Sequence, residues 1–499
     1  MLLETLLSQI SGVEIQGDPK TPIEGIAYDS RKVSPGDLFV AVRGQRTNGV
    51  LYVSDAIRRG AAAIAAENAY HPESGVPRLV VEDARRFLAE AARVFWGDPS
   101  QSLKLVAVTG TNGKTTTTCL VQAILRHAGH RTIASGTLGV EIDGRHVASE
   151  RTTPEATDLT RVLHQAILSG CTHGALEVSS HALALKRVYG MKFAVAVFTN
   201  LTRDHLDFHG DMESYFRAKS LLFSAAGANH IEAAVINADD PYAMRLAGGL
   251  ACPFVTYGTS EKSDIRLLES ALLTEGTTMA LATPAGRMDV TLRLPGRPNI
   301  YNAMAATGSA LALGIRAEDI LRGLGSVEDV PGRMELVRAG QPFSVIVDYA
   351  HTPDALEKLL ETVRALPHRR VITVFGCGGD RDRTKRPLMG AVAVRMSDHV
   401  IATSDNPRSE DPLVILDEIR VGLQERTGAY EIVPDRGEAI GRAISLARPG
   451  DAVIIAGKGH EAYQLVGDRV LPFDDRVVAR EWIGRLRDRR RDRGTAKVL

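Results

Sequence analysis

The run Leu103–Thr116, LKLVAVTGTNGKTT, constrains this chain more than any other stretch. It is apolar over a strand's length, turns at glycines, and continues from Thr115 to Ala128 with helical spacing. A strand without polar alternation is one buried on both faces, and parallel sheets provide that burial because crossover helices cover them. The intervening loop brings backbone N–H groups, a helix N-terminus and the Lys114 ammonium to one point, which makes an anion cradle. The Thr115 hydroxyl behind the lysine suits a magnesium ion, so a nucleoside triphosphate is the expected guest. The general pattern G-x-x-x-x-G-K-[ST] asks for Gly where Val108 stands, so the match is to the shorter variant TGTNGKTT.

The same alternation recurs. GALEVSS, FAVAVFTN and AAVINADD read as further strands of a parallel sheet, and a second series follows Pro331-Gly332: FSVIVDYAH, RRVITVFGCGG, DHVIATSDN and DAVIIAGKGH. Residues 1–98 read as a smaller α/β domain, with apolar runs at Asp37–Val42 and Arg78–Val81 and an Ala-rich helical stretch over Ser54–Ala66. That domain ends at the turn cluster Gly97-Asp98-Pro99-Ser100. A length of 499 residues suits about three domains. The expected fold class is therefore α/β with three domains: 1–98, a central P-loop-type parallel-sheet ATPase domain over 99–332, and a Rossmann-like domain over 333–499. In such sheets ligands bind beyond the carboxyl ends of the strands.

Sixty Lys plus Arg balance sixty Asp plus Glu. Zero net charge argues against a protein that coats nucleic acid or an anionic membrane. The basic tail Arg485–Arg493, interrupted by Asp488 and Asp492, reads as a solvated helix end. Cys119, Cys171, Cys252 and Cys377 lie far apart without CxxC spacing, so neither a disulfide framework nor a zinc knuckle is expected, and a reducing cytoplasm fits. The N-terminus lacks a basic start and an apolar run, and no stretch reaches about 18 uninterrupted apolar residues, so the chain reads as soluble and unexported.

Polar clusters stand at the later strand exits. Glu177-Val178-Ser179-Ser180-His181 and Asn200 to Asp207 supply carboxylate and imidazole groups which, with Thr115, suit a magnesium ion held against a transferring phosphoryl group; each cluster alone also suits a capping network. Lys219, in the helical stretch Ser214–Phe223, reads on composition as an ordinary solvated lysine. In the last domain VFGCGGDRD falls short of a dinucleotide fingerprint because Arg381 stands where Gly is needed. Arg381, Arg383 and the exit Asp405-Asn406-Pro407-Arg408 suit a carboxylate, and Glu461 suits an ammonium, so an amino acid is the economical ligand.

Taken in order, TGTNGKTTT, EVSSHAL, NLTRDHLDFHG, YFRAKSLLF, GRPNIYNA, PGRMEL, DYAHTPDAL, FGCGGDRDRTKRP, DNPR and GKGHE resemble the Mur ligases. Tyr28-Asp29-Ser30-Arg31, GDLFVAVRG and Thr152-Thr153-Pro154 extend the resemblance over essentially the whole chain. The likeness is strongest to members that add meso-diaminopimelate to the D-glutamate of UDP-N-acetylmuramoyl-L-alanyl-D-glutamate. It implies an ATP-dependent amide ligase of peptidoglycan precursor synthesis, working through an acyl phosphate with magnesium, as a cytoplasmic monomer on small-molecule substrates without nucleic acid or membrane.

By that resemblance Gly110, Thr111, Asn112, Gly113, Lys114, Thr115 and Thr116 cradle ATP, with Asn299 near its base, Arg333 near its phosphates and Asp348 near its ribose. Thr115, Glu177, His205 and Lys219 would hold metal, Lys219 as a carbamate, and Lys114, Glu177, His205 and Lys219 would be catalytic. The UDP-sugar peptide would meet Tyr28, Ser30, Gln45, Arg46, Thr47, Thr152, Thr153, Ser179, Leu185 and Arg187; many relatives carry Gln at the position of Leu185. Diaminopimelate would meet Arg381, Asp405, Asn406, Pro407, Arg408, Gly457 and Glu461. The DNPR motif is that of the diaminopimelate-adding members; lysine-adding members differ there. A folylpolyglutamate synthase is the rival ligase, opposed by the N-terminal domain and by DNPR.

Overall fold

The computed structural model describes residues 1–44, 47–67, 75–147, 149, 151–425 and 428–495, with side chains of the last helix described as far as Arg487. Gln45 and Arg46 lie outside the described residues. The chain forms two compact units: one holds Met1–Arg266, Ala282–Gly286 and Asn302–Gly323, the other Leu267–Leu281, Arg287–Tyr301 and the chain from Leu324 onward.

The first unit carries two sheets. The N-terminal one runs Val13–Gln16, Arg78–Val81, Ala63–Ala66, Asp37–Val40, Gly25–Ala27, parallel except for its first strand. Helix Ala84–Phe95, capped by Asp83, packs Phe87 and Leu88 onto it. The stretch Ser54–Ala66, expected as one helix, is two elements: a helix over Val53–Arg58 and a strand over Ala63–Ala66. Gly60, at φ +97°, ends the helix in the left-handed region, and Ala63, Ala65 and Ala66 beyond it, buried in a strand between neighbouring strands, follow tertiary burial over helix propensity.

The second sheet is built around strand Lys104–Thr109. Its core order is Phe254–Gly258, His230–Asn237, Lys192–Phe198, Lys104–Thr109, His173–Glu177, Thr132–Gly136, all parallel. Leu105, Val106, Ala107 and Val108 are fully buried, and each large apolar side chain so placed contributes roughly 1.5–3 kcal/mol. Because the strands are parallel, Gly110, Glu177 and Thr199 leave it on the same side.

The second unit repeats the plan with order Glu335–Leu336, Ser344–Asp348, Ala452–Ala456, Val371–Phe375, His399–Ala402, Tyr430–Ile432; only the two-residue edge strand is antiparallel. The loops after Phe375, Ala402 and Ala456 therefore exit together. The basic tail belongs to helix Asp475–Thr495. No helix among the described residues is long and apolar enough to cross a membrane.

Candidate active site

Strand Lys104–Thr109 ends in the loop Gly110–Gly113, and helix Lys114–His127 begins on Gly113, itself left-handed at φ +87°. The loop is tied down from the neighbouring strand exit. Thr199 Oγ1 donates to Asn112 O at 2.6 Å, Asn112 N donates to Asn200 Oδ1 at 2.9 Å, and the Thr111 and Tyr215 hydroxyls meet at 3.2 Å. Lys114 Nζ folds back to donate to Gly110 O and Thr111 O at 2.9 and 2.8 Å.

Lys219 is no solvated lysine. Helix Met212–Ser220, capped by Asp211, carries it inward until it is almost wholly buried, and its Nζ donates to the same Gly110 O at 2.7 Å. Burial and the neighbouring Lys114 cation hold its ammonium well below the usual lysine range, against the opposing pull of Asp204. Burial thereby disfavours the charged form of this amine. His205, left-handed at φ +52°, is likewise held below the ordinary imidazole range, chiefly by burial. His181 stands edge-on to it at 4.9 Å and is pushed down to about 4 by burial and by the charges His205 and His209 would carry.

Glu177 is buried at the end of its strand. Oε1 accepts from Thr137 N at 2.8 Å; Oε2 accepts from Thr137 Oγ1 at 3.0 Å and from Thr115 Oγ1 at 3.1 Å. A Cβ on Gly136 would stand 2.2 Å from Glu177 Oε1, so this carboxylate needs a glycine beside it. Magnesium fits these groups: it prefers hard oxygens and commonly takes one or two carboxylates together with substrate phosphates. A Thr hydroxyl and a carboxylate meet here beside the phosphate loop. Among the described residues no three His, Cys, Asp or Glu side chains form a metal-holding group by themselves.

From Glu177 the polar network runs on. Thr137 Oγ1 meets Thr152 Oγ1 at 3.2 Å; Thr153 Oγ1 donates to Glu177 O at 2.8 Å and accepts from Ser179 N at 3.1 Å. Arg187 donates to Thr153 O at 2.9 Å and pairs with buried Glu155 at 3.0 Å. Glu155 also meets Arg85 and Arg151 at 3.4 and 3.5 Å. Arg85 reaches Leu185 O at 3.5 Å, which places Leu185 at this network through its backbone. Tyr28 OH donates to Asp158 at 2.9 Å and accepts from Arg151 at 3.4 Å. Thr47 donates to Tyr52 at 3.1 Å, while Ser30 is buried in the turn after Asp29.

In the second unit Arg408, left-handed at φ +53°, donates to Gly379 O at 2.8 Å. Among the described residues it has no ion-pair partner. A surface cap through Glu410 is not formed, because Glu410 instead pairs with buried Arg386 and accepts from Asp380 N. Arg383, one of the loop cations, is engaged by Glu418 at 3.1 Å, while Arg381 lies on Asp380 O at 3.2 Å. Asn406 Nδ2 donates to Glu461 Oε2 at 2.9 Å, and Gly457 follows Ala456 beside Asp405. Asp348 accepts from Met334 N and Ala350 N, each at 2.8 Å; burial raises its pKa, against the Arg333 cation. Asn299 Nδ2 donates to Pro295 O at 2.8 Å.

Three successive segments match models of one family: residues 22–96 the Mur ligase family catalytic domain, 108–310 the Mur ligase middle domain, and 332–459 the Mur ligase glutamate ligase domain. A UDP-N-acetylmuramoyl-L-alanyl-D-glutamate–2,6-diaminopimelate ligase of Solibacter usitatus is 48% identical over 462 residues, covering 93% of this chain and 94% of that protein. The chain belongs to the Mur ligase family. A protein of the same name from Geobacillus thermodenitrificans is 47% identical over 485 residues, covering 96% of this chain and 99% of its own length. Among solved structures, one of a ligase of that name is similar at a TM-score of 0.70 and 34% identity, over 98% of this chain and 99% of that chain. A MurF ligase from Thermotoga maritima in complex with ADP shares the fold at a TM-score of 0.60 and 20% identity.

Reading the Mur ligase motifs alone missed Thr137, Glu155, Arg85 and Asp158. Thr137 lies between motifs. Glu155 lies next to one, but its three arginines come from positions 85, 151 and 187, and no local spacing signals that convergence.

Proposed function

We propose that this Mur ligase joins meso-diaminopimelate to the D-glutamyl residue of UDP-N-acetylmuramoyl-L-alanyl-D-glutamate at the expense of ATP. A D-glutamyl carboxylate oxygen attacks the γ-phosphorus, the bond to ADP breaks, and an acyl phosphate forms. The amino acid's amine then attacks the acyl carbon; the carbon–oxygen bond to phosphate breaks, and the amine proton leaves to solvent.

The single observation that carries the reading is Glu177. One buried carboxylate accepts from Thr115 of the phosphate loop and from Thr137, which meets Thr152 of the expected sugar-peptide set. That chain of contacts supports a phosphate donor and a carboxylate acceptor meeting at one point, as phosphoryl transfer between them demands. Lys114 and the loop amides offset the phosphate charge. Magnesium, which Thr115, Glu177, His205 and carbamylated Lys219 would hold, screens the charge between the two anions when bound. In its uncharged form the Lys219 amine adds to carbon dioxide and loses a proton, which turns the amine into an anionic oxygen donor. Arg187, Thr153 and Ser179 suit the acceptor's anionic groups. Asn299, Arg333 and Asp348 are assigned to the nucleotide; Arg381, Asp405–Arg408, Gly457 and Glu461 to the amino acid. We read the chain as three domains over 1–98, 99–332 and 333–499, acting in the cytoplasm as a monomer.

The rival folylpolyglutamate synthase is matched only as a fold: a Mycobacterium tuberculosis enzyme shares 20% identity over 74% of this chain. The test is phosphate release with ATP, the UDP-muramoyl dipeptide and a panel of amino acids. Release that needs the dipeptide and diaminopimelate together supports the reading; release driven by a folate acceptor overturns it.

A further inference from the structure

Lys458 is the third side chain of the Asn406–Glu461 pair, and nothing in the motif chemistry gives it a task. It is fully buried, yet its Nζ donates to Asn406 Oδ1 at 3.0 Å and to Glu461 Oε2 at 3.3 Å, while Asn406 Nδ2 donates to that same Oε2 at 2.9 Å. Leu465 N adds a donor to Asn406 Oδ1 at 3.0 Å.

The triangle has two chemical consequences. First, Asn406 Oδ1 faces two donors and its Nδ2 faces a carboxylate, so the amide has only one workable orientation. Second, among the described residues the side-chain bonds on Glu461 fall on Oε2, which leaves Oε1 as the oxygen to receive a ligand's ammonium. Glu461 is partly exposed, on the loop after strand Ala452–Ala456, and Asn406 is buried on the loop after His399–Ala402. A buried cation with hydrogen bonds to both is a clamp between two ligand-bearing loops. A glutamate with its own rotamer freedom would have to be ordered on each binding event; one clamped beforehand would not.

We propose that Lys458 is a positioning residue of the amino-acid site, acting through Glu461 and Asn406 to pre-order the carboxylate that receives the incoming ammonium. The inference rests on the assignment of Glu461 to the amino acid.

The test is a double-mutant cycle in the full-length enzyme with Lys458→Met, Glu461→Gln and the pair, reading KM for each of the three substrates and kcat. Lys458→Met raises KM for the amino acid about tenfold or more, while kcat and the KM values for ATP and the UDP-sugar peptide stay within about threefold. Adding Lys458→Met to Glu461→Gln raises KM no further, since the group acted upon is already gone. Should the Met variant fail to fold, Lys458→Gln, which keeps a donor without the charge, carries the same comparison. An unchanged amino-acid KM, a parallel rise in all three KM values, or multiplicative effects in the double variant overturns the inference. If the parent takes an amino acid other than diaminopimelate, the functional reading fails and the cycle, run on the amino acid it does take, still decides the role of Lys458.

Discussion

Two amines on one carbonyl oxygen, Lys114 and Lys219 on Gly110 O, set the chemistry at the residue scale. Holding two ammonium groups on one partly buried oxygen is costly, and burial together with the Lys114 cation pushes the Lys219 pKa down. Lys219→Ala should lose nearly all ligase activity and regain part of it with added short carboxylic acids; full activity without them would rule out an anionic role at this position. Lys114→Ala removes a charge that matters most as the phosphoryl group transfers, and losing one such contact costs about 10²-fold or more in kcat. Steady-state turnover near the parent value would contradict the phosphate-loop assignment. The imidazoles make a separate prediction for stability. His181 has a folded pKa of about 4, below the unfolded value of about 6.5. Between those values the native state binds fewer protons, so stability is full above the window and falls as pH drops through it. His181→Gln should flatten the slope of Tm against pH over that range, and an unchanged slope would show that this ring does not titrate with folding.

At the scale of elements, the decisive feature is that strand ends bring distant motifs together. Strand positions were legible because fully buried strands are fully apolar: Arg78–Val81 and the strands entering Gly110, Glu177 and Thr199 stand where their apolar runs predicted. Ser54–Ala66 was misread because alanine is a strong helix former that also fits between close strands, and only the burial of Ala63–Ala66 decides between the two. The tertiary partners of the site were not legible for a related reason. Glu155, Thr137 and Lys458 are ordinary in composition, and their meaning lies in which distant segments they meet. The last helix offers a direct test of element anchoring. Arg436 and Asp475 are both fully buried and form two bonds of 2.7 Å, with a further bond from Arg436 to Ala456 O at 3.0 Å at the end of a ligand-bearing strand. Removing one partner of a buried pair leaves an uncompensated charge, so Asp475→Ala should lose about 3–5 kcal/mol in denaturant unfolding. A loss below about 1 kcal/mol would mean that this pair does not anchor the helix.

For the whole molecule, the proposed reaction requires that the incoming amine be chosen, and the loops of the second unit are the ones assigned to that choice. Under the proposed function the choice falls to Arg408, a guanidinium held by Gly379 O, preceded by Pro407 and without an ion-pair partner among the described residues. Diaminopimelate differs from lysine by one distal carboxylate, which a planar guanidinium can take bidentately. With lysine the same cation stays partly desolvated and unpaired, so discrimination of about 10²-fold or more is expected. The measurement that tests this most directly is kcat/KM for meso-diaminopimelate and for L-lysine, with ATP and UDP-N-acetylmuramoyl-L-alanyl-D-glutamate saturating, in the parent and in Arg408→Ala. The expected result is a preference of at least about 10²-fold for diaminopimelate in the parent and its collapse in the variant; equal use of both amino acids by the parent, or a preference that survives in Arg408→Ala, would contradict the role of Arg408.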